Sequence, residues 1–173
     1  PLNGLIISRS LRKAVRQRRF DIRIDTAFDE VMRLCAERTL DRKETWINQR
    51  IFRLYGDLHR MGHCHSVESW QDGRLVGGLY GLRIGAAFFG ESMFSRATDA
   101  SKVALVHLAG RLIAGGFTLL DCQFVTEHLR QFGTVEIDRA EFHFRLERAL
   151  VKPADFNALP KATNGEQVLT AIS

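Results

Sequence analysis

Glu91, Ser92, Asp121 and Gln123 are the side chains whose types and placement could do chemistry in this chain of 173 residues. Glu91 follows Gly90 at the end of an apolar run and stands beside Ser92. A carboxylate so placed can take a forked guanidinium through two parallel hydrogen bonds, or an ammonium as a point charge. The plainer alternative is a surface glutamate in a turn. Asp121 and Gln123 lie two apart in a stretch that reads as a strand, which would aim both side chains at one face. A glutamine amide holds no proton to exchange near neutral pH. Gln123 therefore suits positioning an amine or stabilising a developing oxyanion, not general-base work. Asp121 would orient that amide and could help carry a proton through a relay. Otherwise the two are a polar pair where a strand meets a turn.

A third cluster is electrostatic. Arg9, Arg12, Lys13 and Arg16 fall at i, i+3, i+4 and i+7 on one face of a short helix, with Arg18 and Arg19 close by and no acid among them. Such a face suits the phosphates of an RNA stem through sequence-tolerant, salt-sensitive contacts, or is simply solvated. Two other arrangements fail as chemistry. On a strand, His63 and His65 share one face with Cys64 opposite, and no acidic or cysteine partner stands at ligand spacing, which argues against a metal. Cys122 has no paired base and would face away from Asp121 and Gln123, which argues against a thiol nucleophile.

These groups must be held by one modest core. Hydrophobic residues make up 45% of the chain, and the formal charge of +5 matters more for its placement than its size. Three cysteines at scattered spacings (Cys35, Cys64, Cys122) form neither a disulfide framework nor a zinc signature, so a reducing cytoplasm is the expected setting. No stretch reaches the roughly 18 apolar residues a membrane span needs, and no cleavable signal peptide is visible. The chain opens at Pro1 inside what reads like a strand, so residues upstream are expected to be missing.

Ser8 is placed to cap a helix running to Arg19, and Phe20 to Ile24 alternates like a strand. Phe28, Val31, Met32 and Cys35 mark an amphipathic helix; Ile47, Ile51, Leu54, Tyr55 and Leu58 mark a longer one that Gly62 could end. His63 to Gly90 reads as an antiparallel meander whose first turn is Gln71-Asp72-Gly73. Asp99 is predicted to cap a helix from Ala100 to about Ala114, apolar almost all round and stopped by Gly115-Gly116. There follow a strand over Phe117 to Gln123, a helix over Val125 to Phe132, a strand over Thr134 to Ile137, and a last helix with Asp138 and Glu141 as a capping box, ending near Leu150. Residues 151–173, rich in Pro, Asn, Gly, Thr and Ser, read as a loosely attached tail. The order predicts an α/β catalytic domain over residues 1–150 with a mixed, largely antiparallel sheet flanked by helices.

Several short segments, taken together in order and spacing, resemble the leucyl/phenylalanyl-tRNA–protein transferase family. They are Glu44-Thr45-Trp46-Ile47, His65-Ser66-Val67-Glu68, Gly77-Gly78-Leu79-Tyr80-Gly81, Gly90-Glu91-Ser92-Met93-Phe94-Ser95-Arg96, Ala100-Ser101-Lys102, and Asp121-Cys122-Gln123 followed by His128. The resemblance covers most of Ser8 to Leu150 and implies a fold like that of the GCN5-related N-acetyltransferases. Cys64 stands where the family commonly has alanine, Asp138 where it has proline, and Leu79 where many members have methionine. The family also carries a small upstream domain that supplies one wall of the amino-acid pocket.

What the resemblance implies is an aminoacyltransferase that moves Leu or Phe, and by extension Met, from a charged tRNA to proteins beginning with Arg or Lys, marking them for proteolysis. Glu91, with Ser92, would receive the acceptor's basic side chain. Gln123 would lie beside the reacting carbonyl with Asp121 behind it. Trp46, Leu79, Phe88 and Leu120 would line the pocket for the esterified residue, although residues of these types are more often plain core. The basic helix would hold the tRNA. An ester is already activated, so no cofactor, ATP or metal is called for, and the expected enzyme is a cytoplasmic monomer with no membrane partner. Two other readings fit the same fold. An acetyl-CoA-dependent N-acyltransferase would want a glycine-containing pyrophosphate loop, which Ser95-Arg96-Ala97-Thr98-Asp99-Ala100 lacks. A non-catalytic RNA-binding module would not need Glu91, Asp121 and Gln123 together.

Overall fold

The computed structural model describes residues 2–37, 47–123 and 125–173. Five strands form one sheet in the order β1 (Asp21–Ile24), β2 (Cys64–Gln71), β3 (Arg74–Ile84), β4 (Ala87–Ser95) and β5 (Leu119–Asp121). The first three pairings are antiparallel and β4–β5 is parallel. The meander is set by its turns: Asp72 (φ 50°) and Gly73 (φ 73°) form the two-residue connection that right-handed strand twist favours. The parallel pair needs a crossover, and α4 (Ala100–Ala114) supplies it.

Helix α4 lies across one face of the sheet, where Val67, Leu79 and Phe88 meet Val103, Leu105 and Leu108. Its near-continuous apolar sequence follows from burial on almost every side. The approach is close: a Cβ on Gly77 would sit 2.5 Å from the Cβ of Ala100, so only glycine lets the start of α4 rest on β3. On the opposite face α2 (Phe28–Ala36) and α3 (Gln49–Arg60) pack over Cys64, Leu75 and Tyr80. Helix α1 (Arg9–Arg16) buries Leu11 and Val15 against the α4 layer. Its Ser8 hydroxyl accepts from the Leu11 N–H at 3.3 Å, as the sequence predicts, but the helix stops at Arg16 rather than Arg19.

Two polar groups are locked inside. Glu68 is fully buried, and its carboxylate accepts from the N–H groups of Thr26 (2.9 Å) and Ala27 (2.8 Å), the hydroxyls of Thr26 and Ser66, and the Trp70 indole (3.1 Å). Five donors explain how a carboxylate can sit in a core, and they pin the β1–α2 corner to β2. Asp25 accepts from the Ser66 N–H and pairs with His65 Nδ1, both at 2.8 Å. Burial alone would raise the Asp25 pKa; the His65 hydrogen bond and charge, with help from Ser66 and His59, outweigh it and hold the carboxyl below its ordinary value.

Four local expectations are corrected. Asp99 adopts a left-handed conformation (φ 66°) and its side chain caps nothing; Ser95 Oγ accepts from the Ser101 N–H at 3.2 Å instead, while Asp99 pairs with Lys102 at 3.3 Å. Thr134 to Ile137 form no strand but an irregular link between α5 (Glu127–Arg130) and α6 (Arg139–Leu150), with Val135 turned to solvent. Asp138 does accept from the Glu141 N–H at 2.8 Å, but the Glu141 side chain turns to Arg145, so only half of the box forms. Residues 151–173 are not loose. Phe156 stacks on His65 and Phe88, α7 (Gly165–Ile172) buries Val168 and Leu169 against α4, and the Arg111 guanidinium donates to the carbonyls of Phe156, Leu159 and Pro160. The polar composition belongs to the loops between these anchors.

Candidate active site

Strands β4 and β5 pair only from Ala87 to Phe89 and from Leu119 to Asp121; β4 then continues while the chain leaves β5 at Cys122. A bulge at Tyr80/Gly81 shifts the β3–β4 register at the same level. Bulges bend a strand and re-aim its side chains. In the resulting gap lies a cavity of about 370 Å³. Its deep wall is apolar, from Leu79 on β3 and Leu105 and Leu108 on α4; Met93, Leu120 and Leu129 continue it. Its polar edge is made by Glu91, Ser92 and Gln123, with Thr126 and Cys122 beside them. A greasy cavity with a few convergent polar groups is the form expected of a site for an amphiphilic ligand.

Gln123 reaches this edge in an unexpected way. It has left the strand and adopts a left-handed conformation (φ 60°), and its N–H donates to Asp121 Oδ1 at 2.9 Å. That bond, of the type by which aspartate side chains shape turns, fixes the backbone of Gln123. The side chain then swings to β4, where Nε2 donates to Glu91 Oε2 at 2.9 Å. A carboxylate can only accept, so the amide nitrogen must face it, and Oε1 has no donor among the described residues. The predicted shared strand face is thus replaced by a division of labour: Asp121 sits behind and holds the turn, and Gln123 alone lines the cavity.

Tyr55 on α3 lies close enough to Glu91 for the two to interact electrostatically. Burial first, then the neighbouring Glu91 carboxylate, push the Tyr55 phenol well above its ordinary pKa, so it stays protonated. The same carboxylate, after burial, helps push the Cys64 thiol up to about 12. Among the described residues Glu91 has no ion-pair partner. A carboxylate that meets a neutral amide donor, and no cation among the described residues, has the geometry to receive an incoming cation.

Of the remaining predicted residues, Leu79 and Leu120 line the cavity. Phe88 does not: fully buried, it packs edge-on to Phe117 and against Phe156 in the core. Trp46 lies outside the described residues. On α1, Arg9 and Lys13 are exposed, Arg12 Nε donates to the Ile7 carbonyl at 3.4 Å, and Arg16 pairs with Glu166 at 3.1 Å. The basic face therefore does meet one acid, contributed by α7. Sequence reasoning misses Tyr55 and Met93 as site residues. Tyr55 carries the i+4 spacing of a core position, and only the fold reveals that its hydroxyl emerges at Glu91.

The sequence model of the family described as leucyl/phenylalanyl-tRNA protein transferase matches residues 1–147. The chain is 64% identical over 157 residues to a leucyl/phenylalanyl-tRNA–protein transferase of Paramagnetospirillum magneticum, covering 91% of this chain and 75% of that protein. It is 61% identical to one of Phenylobacterium zucineum (94% and 73% covered) and 55% identical to one of Caulobacter vibrioides (100% and 80% covered). A match over most of the chain, joined to a cavity whose edge brings Glu91 and Gln123 together, identifies this protein as a member of the leucyl/phenylalanyl-tRNA–protein transferase family.

Proposed function

We propose that this protein transfers Leu or Phe from charged tRNA to the N-terminus of proteins that begin with Arg or Lys, and that the product is marked for degradation. The observation that carries this reading is the Glu91–Gln123 contact at the rim of an apolar cavity. The cavity takes the esterified side chain; burying a Leu or Phe there contributes about 1.5–3 kcal/mol, enough to prefer large residues over small ones. Glu91 takes the acceptor's guanidinium or ammonium, and Ser92 lies beside it. Gln123, its Nε2 committed to Glu91, offers Oε1 to an N–H of the attacking amine.

The α-amine attacks the ester carbonyl; the C–N bond forms, the bond to the ribose oxygen breaks, and the proton lost by nitrogen ends on that oxygen. The ester supplies the driving force. Alignment of amine and carbonyl can supply roughly 7–11 kcal/mol of barrier reduction. Asp121 contributes by fixing the Gln123 turn. The basic face of α1 holds tRNA phosphates, with Arg9, Arg12 and Lys13 the more available members because Arg16 is engaged by Glu166. An antiparallel meander followed by a crossover helix and a parallel strand that diverges from β4 favours kinship with the GCN5-related N-acetyltransferase fold, with the gap used for an aminoacyl ester in place of acetyl-CoA. We further read the working unit as a monomer in the cytoplasm.

Incubation with labelled Leu-tRNA and a peptide beginning with Arg tests this reading. Transfer of label to the peptide is the expected result. Turnover of acetyl-CoA without aminoacyl transfer would overturn it, as would tRNA binding with no transfer.

A further inference from the structure

Helix α4 has two working faces. Leu105 and Leu108 line the aminoacyl cavity, whereas Val103 and His107, four apart, line a second cavity of about 370 Å³ between the end of α1, β1 and the loop leading into α7. Arg18 and Arg19 line this second cavity, are exposed, and have no acidic partner among the described residues; the Arg19 guanidinium lies 5.8 Å from the centre of the Phe20 ring, which also lines it. Asp21 also lines it but is held by Arg23 at 2.8 Å, and Glu166 nearby is held by Arg16. The charge left over is positive.

The first turn of α7 adds donors. Asn164 and Gln167 cap one another reciprocally, at 2.9 Å and 3.1 Å, which leaves the N–H groups of Gly165 and Glu166 without an acceptor among the described residues at the positive end of the helix. Ala14 and Val15, at the carbonyl end of α1, also line the space, and the Val15 backbone carbonyl lies against Gly165.

His107 is the independent observation. It is 6% exposed, lines the cavity, and has no hydrogen-bond partner among the described residues. The ring stands in the cavity wall with no hydrogen bond of its own among the described residues, so a ligand there can take one from it.

We propose that this second cavity is a phosphate-binding site, with Arg18, Arg19, the His107 ring N–H and the first turn of α7 as its donors. Two sources offer that chemistry: a phosphate of the RNA donor, or a free small phosphate compound. The site stands on its own groups and does not depend on the aminoacyl cavity working as described.

The test titrates the full chain with inorganic phosphate, following the amide resonances of Gly165 and Glu166 and the imidazole of His107, with chloride at matched ionic strength as the control. Saturable shifts at all three positions are expected. In Arg18→Ala/Arg19→Ala the affinity should fall about tenfold or more, the size of losing a hydrogen bond to a charged group. Both arginines are exposed, so the rest of the spectrum reports whether the fold is intact; His107→Gln is the second variant and should weaken binding as well. A parallel arm measures tRNA binding with and without saturating phosphate. Competition assigns the site to the RNA backbone, and indifference assigns it to a free phosphate compound. Shifts that fail to saturate, that chloride reproduces, or that survive unchanged in the double variant would overturn the proposal.

Discussion

Gln123 Nε2 donates to Glu91 Oε2 across 2.9 Å, joining the turn after β5 to the middle of β4 at the edge of one apolar cavity. The bond puts the group that would hold an acceptor's charged side chain next to the group that would position its amine. On the proposed function, specificity and chemistry are coupled by contact, because a side chain seated on Glu91 would bring its own α-amine toward Gln123.

Gln123→Ala removes the proposed positioning amide while leaving the Glu91 carboxylate in place on β4. Transfer should slow by about 10²–10³-fold in kcat, as when an oriented donor or acceptor is removed from a reacting centre. Affinity for charged tRNA should change little. Single-turnover transfer and equilibrium tRNA binding, measured on the same variant, check the two halves of this expectation.

Neutralising Arg9, Arg12 and Lys13 together should weaken tRNA binding and flatten its dependence on salt. Every RNA phosphate that no longer meets a cation reduces the slope of log K against log salt by about 0.7–0.9. Arg16→Ala should have a smaller effect on that slope, because its guanidinium is already paired with Glu166. Binding measured over a salt series compares the variants.

Stability should fall on mild acidification because of one buried imidazole. Burial, then the nearby Arg111 charge, lowers the His107 pKa from 6.5 to about 4. Between those values the unfolded chain takes up a proton that the folded chain resists, so stability present above 6.5 is lost as pH falls toward about 4. At about 1.4 kcal/mol per pH unit the full loss is about 3 kcal/mol. In His107→Gln this part of the pH dependence should vanish, read as urea midpoints at neutral pH and near pH 4 in phosphate-free buffer.

Phe156→Ala should destabilise the whole domain rather than release its end. The ring stacks on His65 at 3.8 Å and on Phe88 at 5.8 Å, and the backbone carbonyl beside it receives Arg111. Emptying such a position costs about 3–5 kcal/mol. A single cooperative denaturation curve shifted to lower denaturant is the expected result; local fraying with an unchanged midpoint would contradict it.

Where local chemistry decides the structure, the sequence is sufficient. The Ser8 cap, the Asp72-Gly73 turn and the all-apolar helix over α4 each follow from a residue type with one favourable place to go. Errors fall where tertiary neighbours decide. Asp99 looks like a cap, but the neighbouring strand end brings Ser95 into that role. Thr134 to Ile137 alternate like a strand, but among the described residues no strand pairs with them. Residues 151–173 have loop composition, yet three apolar anchors and one buried arginine dock them. The site follows the same division. Glu91, Gln123, Leu79 and Leu120 are legible in the sequence and meet at one cavity, whereas the φ of Gln123 and the approach of Tyr55 depend on the turn and the helix that the fold brings there. Phe88 and Met93 lie on the same strand, and only the divergence of β5 from β4 decides that one is core and the other lines the cavity.

The most direct test of the shared pocket compares transfer to two peptides, one beginning with Arg and one with its neutral isostere citrulline, by the wild-type protein and by Glu91→Gln. Wild type should favour Arg in kcat/KM by about 10–100-fold, the contribution of a hydrogen bond to a charged group, and the variant should treat the two peptides nearly alike while binding charged tRNA as before. An undiminished preference for Arg in Glu91→Gln would contradict the role given to this carboxylate and, with it, the single pocket in which Glu91 and Gln123 act side by side.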